Sequence, residues 1–249
     1  MRTLLIVVSL VATVALPLAQ PATKPLRLLF IGNSLTEWND LPMLVARLAM
    51  AGGQPQPLTR AVVVGGFSLE DHWNQGNARR AITDSQWDFV VLQQGPSALF
   101  ESRRLLVTYA RRFAEAIDTA GARPAMYMVW PSTSRRQDFA GVSQSYRAAA
   151  KEVKGVLLPA GDAWNIVLQR QPSISLYSED GLHPTFAGSY LAALVIYQGL
   201  YGRSPIGLPA LGGLSAEDAR TLQNAAIDVR DPPVRAPVQE WPRLHIIQR

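Results

Sequence analysis

Five short apolar runs, separated by stretches with helical periodicity, constrain the fold of this chain more than any other feature of its sequence. The runs cover residues 26–31, 60–64, 89–92, 124–130 and 156–159. Runs of this length that stop near glycine or proline indicate strands buried on both faces. Because helical patterns lie between them, we expect parallel pairing with helices on both sides of the sheet. The sequence therefore predicts an α/β fold with a five-stranded parallel sheet.

The helical patterns follow these strands along the chain. They cover approximately residues 41–49, 103–120, 139–151, 163–169, 184–200 and 216–226. Asp40 and Ser215 stand where an N-cap is expected, and Gly52 follows the first of these helices. In a sheet wound in this way the ligand site lies outside the carboxyl ends of the strands. Polar residues directly after strands are therefore the first candidates for chemistry.

The two ends of the chain differ from its body. Arg2 precedes an apolar stretch at residues 4–18, and Ala19 or Ala22 is a small residue suited to cleavage, so residues 1–22 are predicted to be a secretory signal peptide. The mature protein is then secreted or periplasmic, without stable membrane insertion, and an uncleaved N-terminal anchor is the alternative. The folded domain is predicted over residues 23–228, and residues 229–249 form a proline-rich tail.

Composition excludes several classes of function. The 249 residues include no cysteine, which excludes disulfides, a thiolate nucleophile and cysteine-bound zinc. The formal net charge of +5 comes from scattered arginine pairs and not from a basic stripe, so no nucleic-acid partner is expected. The sequence shows no cluster with metal-ligand spacing and no glycine-rich phosphate loop, so we expect neither a metal nor another cofactor. The sequence specifies no oligomeric state.

A serine directly after the first strand is the strongest candidate for chemistry. Ser34 follows Gly32 and Asn33 at the mouth of the predicted sheet. A serine hydroxyl needs an adjacent base that a third group orients. The chain has three histidines, and His183 lies in the string Asp-Gly-Leu-His-Pro, with Asp180 three residues before it. Asp180 can therefore orient the imidazole of His183, provided that the fold brings His183 to Ser34.

These two motifs resemble those of the SGNH hydrolases, the GDSL-type esterases and lipases. Residues 32–36, Gly-Asn-Ser-Leu-Thr, match the first block of that family, and residues 180–184 match its last. The resemblance spans residues 26–200 and implies a flavodoxin-like three-layer αβα sandwich. It also implies that Ser34 is the nucleophile, His183 the general base and acid, and Asp180 its partner. The implied activity is that of a serine esterase that works through an acyl-enzyme and needs no cofactor.

The same resemblance implies an oxyanion hole made by a glycine N–H after the second strand and an asparagine side chain after the third. Gly66 fits the glycine, with Gly65 as the alternative. The asparagine has no direct counterpart, because Gln93 and Gln94 stand at the strand end and Ser97 lies beyond them. We predict Gln93 as the donor because it is the first polar group after the strand, and Gln94 and Ser97 remain alternatives. In this respect the chain resembles a branch of secreted bacterial SGNH proteins that have Leu-Gln in place of Gly-x-Asn.

The substrate pocket is predicted from residues near the same strand ends. Its candidate residues are Asn33, His72, Gln94 and Trp130. His72 is alternatively a histidine of helix packing, and His245 has no predicted role. Three tryptophans follow strand ends and suit either sugar stacking or the core: Trp38, Trp130 and Trp164. We predict a small-molecule or glycan ester as substrate, with acetyl on carbohydrate as the leading case. The alternatives are a catalytically silent glycan-binding or cell-envelope module, and a lipase or thioesterase.

Overall fold

Five parallel strands form the centre of the protein. The computed structural model describes residues 24–229, so the predicted signal peptide, His245 and all but the first residue of the predicted tail lie outside the described residues. The strands are β1 (Arg27–Gly32), β2 (Leu58–Val63), β3 (Phe89–Leu92), β4 (Arg123–Tyr127) and β5 (Val156–Leu158). They pair in the order β2-β1-β3-β4-β5, which is that of a flavodoxin-like sheet. The predicted α/β fold with a five-stranded parallel sheet is confirmed.

Helices cover both faces of this sheet. Within residues 24–229 the α-helices are α1 (Ser34–Glu37), α2 (Leu41–Ala51), α3 (Leu69–Gln75), α4 (Asn77–Thr83), α5 (Phe100–Thr119), α6 (Phe139–Glu152), α7 (Ala160–Arg170), α8 (Phe186–Tyr201) and α9 (Ala216–Asp228). Helices α2, α7, α8 and α9 contact one another on one face, and α3, α4, α5 and α6 contact one another on the other. The result is the predicted three-layer sandwich. No helix in this part of the chain combines the length and the apolar character needed to cross a membrane.

The central strands are apolar because helices cover them on both sides. Residues 28–31 of β1 are fully buried, and β3 is buried along its whole length. The edge strand β2 differs, since Arg60 is exposed there. A charged residue on an edge strand discourages pairing with another chain. Burial thus decreases from the centre of the sheet to its edge.

The topology places the ends of β1 and β3 at the point where the strand order reverses. β1 lies between β2 and β3, so the chain moves outward from β1 in one direction and then returns to continue in the other. In a doubly wound sheet this is where a crevice opens at the carboxyl ends of the strands. Asn33 and Ser34 follow β1, and Gln93 follows β3. These candidate residues of the sequence analysis therefore meet at the carboxyl ends of the two central strands.

Helices α3 and α4 lie between the second and third strands, where the sequence analysis predicts no element. Each has seven residues, which is too short for helical periodicity to be distinctive. Their boundaries are nevertheless encoded locally. Ser68 and Asp71 form a capping box at the start of α3, and Gly76 ends it with a φ of 85°.

Two predicted boundaries near the site are wrong. The strand predicted to continue to Trp130 ends at Tyr127, because Leu158 is the last residue of β5 that can pair with it. The helix predicted to begin at Pro184 begins at Phe186, because the side chain of Thr185 caps it by accepting a hydrogen bond from Gly188 at 3.2 Å. His183 therefore lies in a loop and not at the entry of the helix.

Candidate active site

A chain of three hydrogen-bonded side chains joins the end of β1 to the loop before α8. The hydroxyl of Ser34 lies 2.9 Å from Nε2 of His183, and Nδ1 of His183 lies 2.5 Å from Oδ2 of Asp180. Because an ionised carboxylate can only accept, Nδ1 carries the hydrogen and Nε2 is left to accept from the serine hydroxyl. The structure brings these three predicted side chains together, although Ser34 and His183 are 149 residues apart in sequence.

Asp180 is held in place by its own loop. Its Oδ1 accepts hydrogen bonds from the backbone N–H groups of Leu182 and His183, both at 2.9 Å, and from the hydroxyl of Ser178 at 3.0 Å. The hydrogen bond from His183, together with these backbone hydrogen bonds, holds the pKa of the Asp180 carboxyl well below its usual value. Asp180 is therefore ionised near neutral pH, as a group that orients an imidazole and stabilises an imidazolium must be.

Ser34 is the first residue of α1, and its neighbour Asn33 fixes its position. Oδ1 of Asn33 caps the helix by accepting from the N–H of Leu35 at 3.1 Å, and Nδ2 donates to the carbonyl of Phe67 at 3.0 Å. The second contact ties the end of β1 to the loop that carries Gly66. Asn33 is buried, so it supports Ser34 from behind and does not line a pocket, contrary to the prediction.

Gln93 is the centre of a buried amide network behind Ser34. Its Oε1 accepts from the N–H of Asn33 at 2.8 Å and from the hydroxyl of Thr36 at 2.7 Å. Its Nε2 donates to Oδ1 of Asn33 at 3.0 Å and to the carbonyl of Gln94 at 2.8 Å. Gln93 is only 1% exposed, so neither amide hydrogen is left for an oxyanion. The structure thus does not support Gln93 as the oxyanion donor and gives it a positioning role.

Gly32 makes room for this network. A Cβ at position 32 would overlap both Oε1 of Gln93 and the hydroxyl oxygen of Thr36. The glycine before Asn33 and Ser34 is therefore required by the close approach of the Gln93 amide.

The two alternatives to Gln93 are also engaged within the protein. Oε1 of Gln94 accepts from the N–H of Leu69 at 3.1 Å, and its Nε2 donates to the hydroxyl of Ser97 at 2.9 Å. The hydroxyl of Ser97 in turn donates to the carbonyl of Gly95 at 2.9 Å. Gln94 and Ser97 are both buried. Gln94 therefore does not line a substrate pocket, and neither side chain presents a donor to one.

Gly66 lies at the surface, in the turn after β2. The N–H of Phe67 donates to the carbonyl of Val64 at 3.1 Å, which closes the turn. Gly66 has a φ of 77°, in the left-handed region that favours glycine. Gly65 and Gly66 are both exposed. The backbone N–H of Gly66 remains the predicted donor to an oxyanion, with that of Gly65 as the alternative.

The structure is similar to solved structures of known proteins. A candidate SGNH hydrolase from Slackia heliotrinireducens has 27% sequence identity and a TM-score of 0.62, and the match covers 71% of this chain and 100% of that one. In its fold and in both sequence motifs the chain resembles the SGNH hydrolases. A DUF4886 family protein from Bacteroides uniformis has a TM-score of 0.68 at 19% identity, covering 82% of this chain and 94% of that one. A candidate GDSL-like lipase from Parabacteroides merdae has a TM-score of 0.56 at 15% identity, covering 72% and 97%. At these lower identities the last two support the fold alone. No family model and no curated protein matches the sequence.

His72 is a packing residue. Its side chain is fully buried on α3, and Nε2 donates to the carbonyl of Gly32 at 2.8 Å. Burial lowers the pKa of the His72 imidazole because it disfavours the charged form. The neutral His72 side chain therefore holds the backbone carbonyl of Gly32, two residues before Ser34, in place. The prediction that it lines the substrate pocket is wrong, and the alternative of helix packing is supported.

Trp130 supports the loop of His183 from the core of the protein. Trp130 and Trp164 are both fully buried and stack with their ring centroids 3.5 Å apart and 8° between their planes. Nε1 of Trp130 donates to the carbonyl of Leu182 at 3.0 Å, directly before His183. The prediction that Trp130 lines the substrate pocket is therefore wrong. Neither of these two tryptophans can stack on a sugar in this arrangement.

Trp38 contacts the site directly, although the predicted site does not include it. It is 43% exposed, and its indole stacks on the imidazole of His183 with ring centroids 4.3 Å apart and 20° between the planes. It lies four residues after Ser34, in the short turn Trp38–Asp40 that follows α1. The sequence analysis names Trp38 with Trp130 and Trp164 as tryptophans after strand ends, and closeness to Ser34 in sequence is the signal that separates it from the other two.

Taken together, the site offers a hydroxyl, a base that accepts its hydrogen bond and a carboxylate that orients the base. Such an arrangement suits nucleophilic attack on an acyl group. Within residues 24–229, no group of three or more histidine, aspartate or glutamate side chains is placed to hold a metal ion.

Proposed function

We propose that this protein is a serine esterase of the SGNH type that cleaves carboxylic esters through an acyl-enzyme on Ser34. The observation that carries the proposal is the hydrogen-bonded chain from Ser34 through His183 to Asp180. Nucleophile, base and orienting carboxylate stand in the order and at the distances that such catalysis requires. Asn33, Gln93 and their buried contacts hold this chain from behind.

In acylation, Oγ of Ser34 attacks the carbonyl carbon of the ester while Nε2 of His183 takes its proton. The ionised Asp180 accepts from Nδ1–H throughout and stabilises the imidazolium that forms. The tetrahedral intermediate then collapses as its bond to the alkoxy oxygen breaks, and Nε2 gives its proton to the departing alcohol. An acyl group remains bonded to Oγ of Ser34.

In deacylation, His183 acts on water as it acted on Ser34. Nε2 takes a proton from a water molecule whose oxygen attacks the acyl carbon. Collapse of the second tetrahedral intermediate breaks the bond to Oγ, and Nε2 returns the proton to Ser34. The products are one alcohol and one carboxylic acid, and the side chains regain their initial states.

Two backbone N–H groups are the donors that we assign to the developing oxyanion, those of Ser34 and Gly66. The N–H of Ser34 is the first of α1, so no carbonyl within that helix accepts its hydrogen. The exposed position of Gly66 supports its assignment, as does the hydrogen bond from Asn33 to Phe67 that ties its loop to β1. Gln93 then contributes indirectly, by holding the backbone of Asn33.

We further propose that the substrate is an ester of a small acyl group, with acetyl on carbohydrate as the leading case. The site is open, because the side chain of Asp180 is 48% exposed and that of His183 is 20% exposed. A long acyl chain needs an apolar cleft that buries most of its surface. An acetyl group on a large polar alcohol needs little burial, so it suits an open polar site better. The predicted signal peptide supports export to a compartment where such polysaccharides occur.

The proposed function is tested by hydrolysis of p-nitrophenyl acetate and by labelling with a fluorophosphonate. Ser34→Ala removes only Oγ, so it should leave the fold intact. We expect the parent protein to hydrolyse the ester and to be labelled. We expect the variant to be unlabelled, with kcat lower by about 10⁵- to 10⁶-fold. Equal background rates from both proteins, without labelling of either, would overturn the proposal and favour a catalytically silent glycan-binding or cell-envelope module.

The substrate class is tested separately, with the parent protein alone. We expect it to release acetate from acetylated polysaccharide and to act poorly on esters of long-chain fatty acids. The readouts are acetate release and the ratio of kcat/KM for p-nitrophenyl acetate to that for p-nitrophenyl palmitate. A preference for the long chain would refute the carbohydrate proposal and favour a lipase or thioesterase on the same three residues.

A further inference from the structure

The turn Trp38–Asp40 connects the side of the site that carries Ser34 to the side that carries His183. Trp38 stacks on the His183 imidazole, as described above. Nδ2 of the next residue, Asn39, lies 2.9 Å from Oγ of Ser189 and 3.2 Å and 3.3 Å from the carbonyl oxygens of Thr185 and Pro184. One short turn thus contacts both the imidazole and the backbone that directly follows it.

This turn adopts an unusual backbone conformation to make these contacts. Asn39 has φ 55° and ψ 23°, and Asp40 has φ 50° and ψ 57°, so two consecutive residues lie in the left-handed region. Residues other than glycine are uncommon there, and asparagine and aspartate tolerate it best. Such conformations persist where the surrounding structure requires them, and they cluster at functional sites. The turn is therefore a constrained element and not a simple link to α2.

The hydrogen bonds of His183 do not by themselves hold its ring against tilting. The contacts with Ser34 and Asp180 both act at the edge of the imidazole, in its plane. Both His183 and Asp180 reach solvent, so water competes for these hydrogen bonds. Trp38 covers one face of the ring and excludes water from it. An indole face also attracts a cation and so favours the imidazolium that forms when Ser34 gives up its proton.

We propose that Trp38 and Asn39 form a clamp that holds the His183 imidazole in line with Ser34. Trp38 positions the ring, and Asn39 ties the loop after His183 to the end of α1. The clamp rests on the proposed function, because it assumes that His183 is the base. Both members are positioning residues. Their loss slows the chemical step but not substrate binding, so kcat falls while KM stays unchanged, equally for every leaving group.

The first test replaces the indole. Trp38→Leu is expected to lower kcat for p-nitrophenyl acetate by about 10- to 100-fold, with KM within about twofold of the parent. Trp38→Phe keeps an aromatic face and is expected to restore kcat to within about threefold of the parent. The same ratios are expected with ethyl acetate. The control is Trp73→Leu, in which a partly buried tryptophan that packs edge-on against Phe113 is lost, and its kcat should be unchanged.

The second test removes the tether while keeping the backbone conformation. Asn39→Gly suits the left-handed conformation but loses Nδ2, and Asn39→Asp keeps the size of the side chain but cannot donate. Both are expected to lower kcat about tenfold with little change in KM. Asp40→Asn is the matched control, because it shares the conformation and keeps an oxygen to cap Met43. Its kcat should equal that of the parent.

A third measurement reports the stacking without any substrate. The ring current of Trp38 should shift the imidazole C–H protons of His183 upfield in the proton NMR spectrum. The shift should disappear in Trp38→Leu, and His183→Gln assigns the resonances. A parent without the upfield shift would overturn the clamp. Full kcat in Trp38→Leu would also overturn the clamp. So would a rise in KM at unchanged kcat that depends on the leaving group, because Trp38 would then be a binding surface for the alcohol.

Failure of the clamp and failure of the proposed function are distinguishable. A parent that neither hydrolyses esters nor reacts with a fluorophosphonate refutes the proposed function, and the clamp as an aid to catalysis falls with it, even if the NMR shift is present. A parent that does both, with Trp38→Leu and Asn39→Asp equally active, refutes the clamp alone.

Discussion

The two polar clusters at the carboxyl end of the sheet are built in opposite ways. The chain from Ser34 to Asp180 is open to solvent at His183 and Asp180, and one hydrogen bond between side chains connects each member to the next. The network around Gln93 is buried. Oε1 of the Gln93 amide accepts two hydrogen bonds, and Nε2 donates two. Groups that exchange protons with a substrate must reach it, whereas groups that hold a backbone in place are most effective when buried and fully bonded. Three predictions test this contrast.

The largest effect is expected from Asp180→Asn, which acts on the open cluster. The backbone N–H groups of Leu182 and His183 require an acceptor, so they should take the amide oxygen and turn the amide NH₂ towards Nδ1 of His183. The imidazole would then carry its hydrogen on Nε2 and could not accept the proton of Ser34. We expect kcat to fall by about 10³- to 10⁴-fold.

The measurement is kcat for p-nitrophenyl acetate at neutral pH, together with the melting temperature. The melting temperature should change little, because Asp180 is half exposed. A variant that keeps more than about a tenth of the parent kcat would mean that Asp180 does not set the tautomer of His183.

The next effect is expected from Gln93→Ala, which breaks the buried cluster. It leaves the N–H of Asn33 and the hydroxyl of Thr36 without their acceptor and creates a cavity behind Ser34. We expect the free energy of unfolding to fall by about 3–5 kcal/mol, measured by urea denaturation. The kcat of the protein that remains folded should fall about tenfold, since Ser34 loses indirect support.

The control for Gln93→Ala is Gln198→Ala, which removes another buried glutamine whose Nε2 donates to the carbonyl of Ala226 at 2.9 Å. It should lower stability without changing kcat. A Gln93→Ala variant that keeps its full stability and loses about 10²- to 10³-fold in kcat would instead behave as a lost oxyanion donor. That result would restore the original interpretation of Gln93.

The smallest effect is expected from His72→Gln, which changes how the stability of the protein depends on pH. Burial lowers the pKa of His72 in the folded protein below its usual value of 6.5. As the pH falls below 6.5, His72 therefore binds a proton in the unfolded chain but not in the folded protein. His72 therefore makes the folded state less stable with falling pH, by at most about 1.4 kcal/mol per pH unit. His72→Gln keeps an N–H for the carbonyl of Gly32 but does not titrate.

The measurement is the melting temperature of the parent and of His72→Gln between pH 7 and pH 5. The variant should show the flatter curve, because all other titratable groups are the same in both proteins. Parallel curves would show that His72 accepts a proton in the folded state, which contradicts its burial against Gly32.

The sequence predicted the parts of this protein that depend on local patterns. Strands buried on both faces must be continuous apolar runs, so β1 and β3 were recognisable within a residue or two. A nucleophile with a base and an orienting acid allows few combinations in a chain with three histidines, which singled out Ser34, Asp180 and His183. Helices α3 and α4 escaped prediction because two turns carry too little periodicity to be distinguished from a loop.

By itself, therefore, the sequence determined the layers of the fold and the three residues of the proposed chemistry. Only the tertiary structure decided where the supporting side chains point. Gln93 could face the cleft or the end of β1 with the same neighbours in sequence. It faces β1 because pairing of β1 with β3 places it beside Gly32, Asn33 and Thr36, whose polar groups complete its hydrogen bonds. Trp130 is buried and Trp38 is exposed for the same physical reason: burial depends on contacts between segments that are distant in the chain, and local patterns do not encode them.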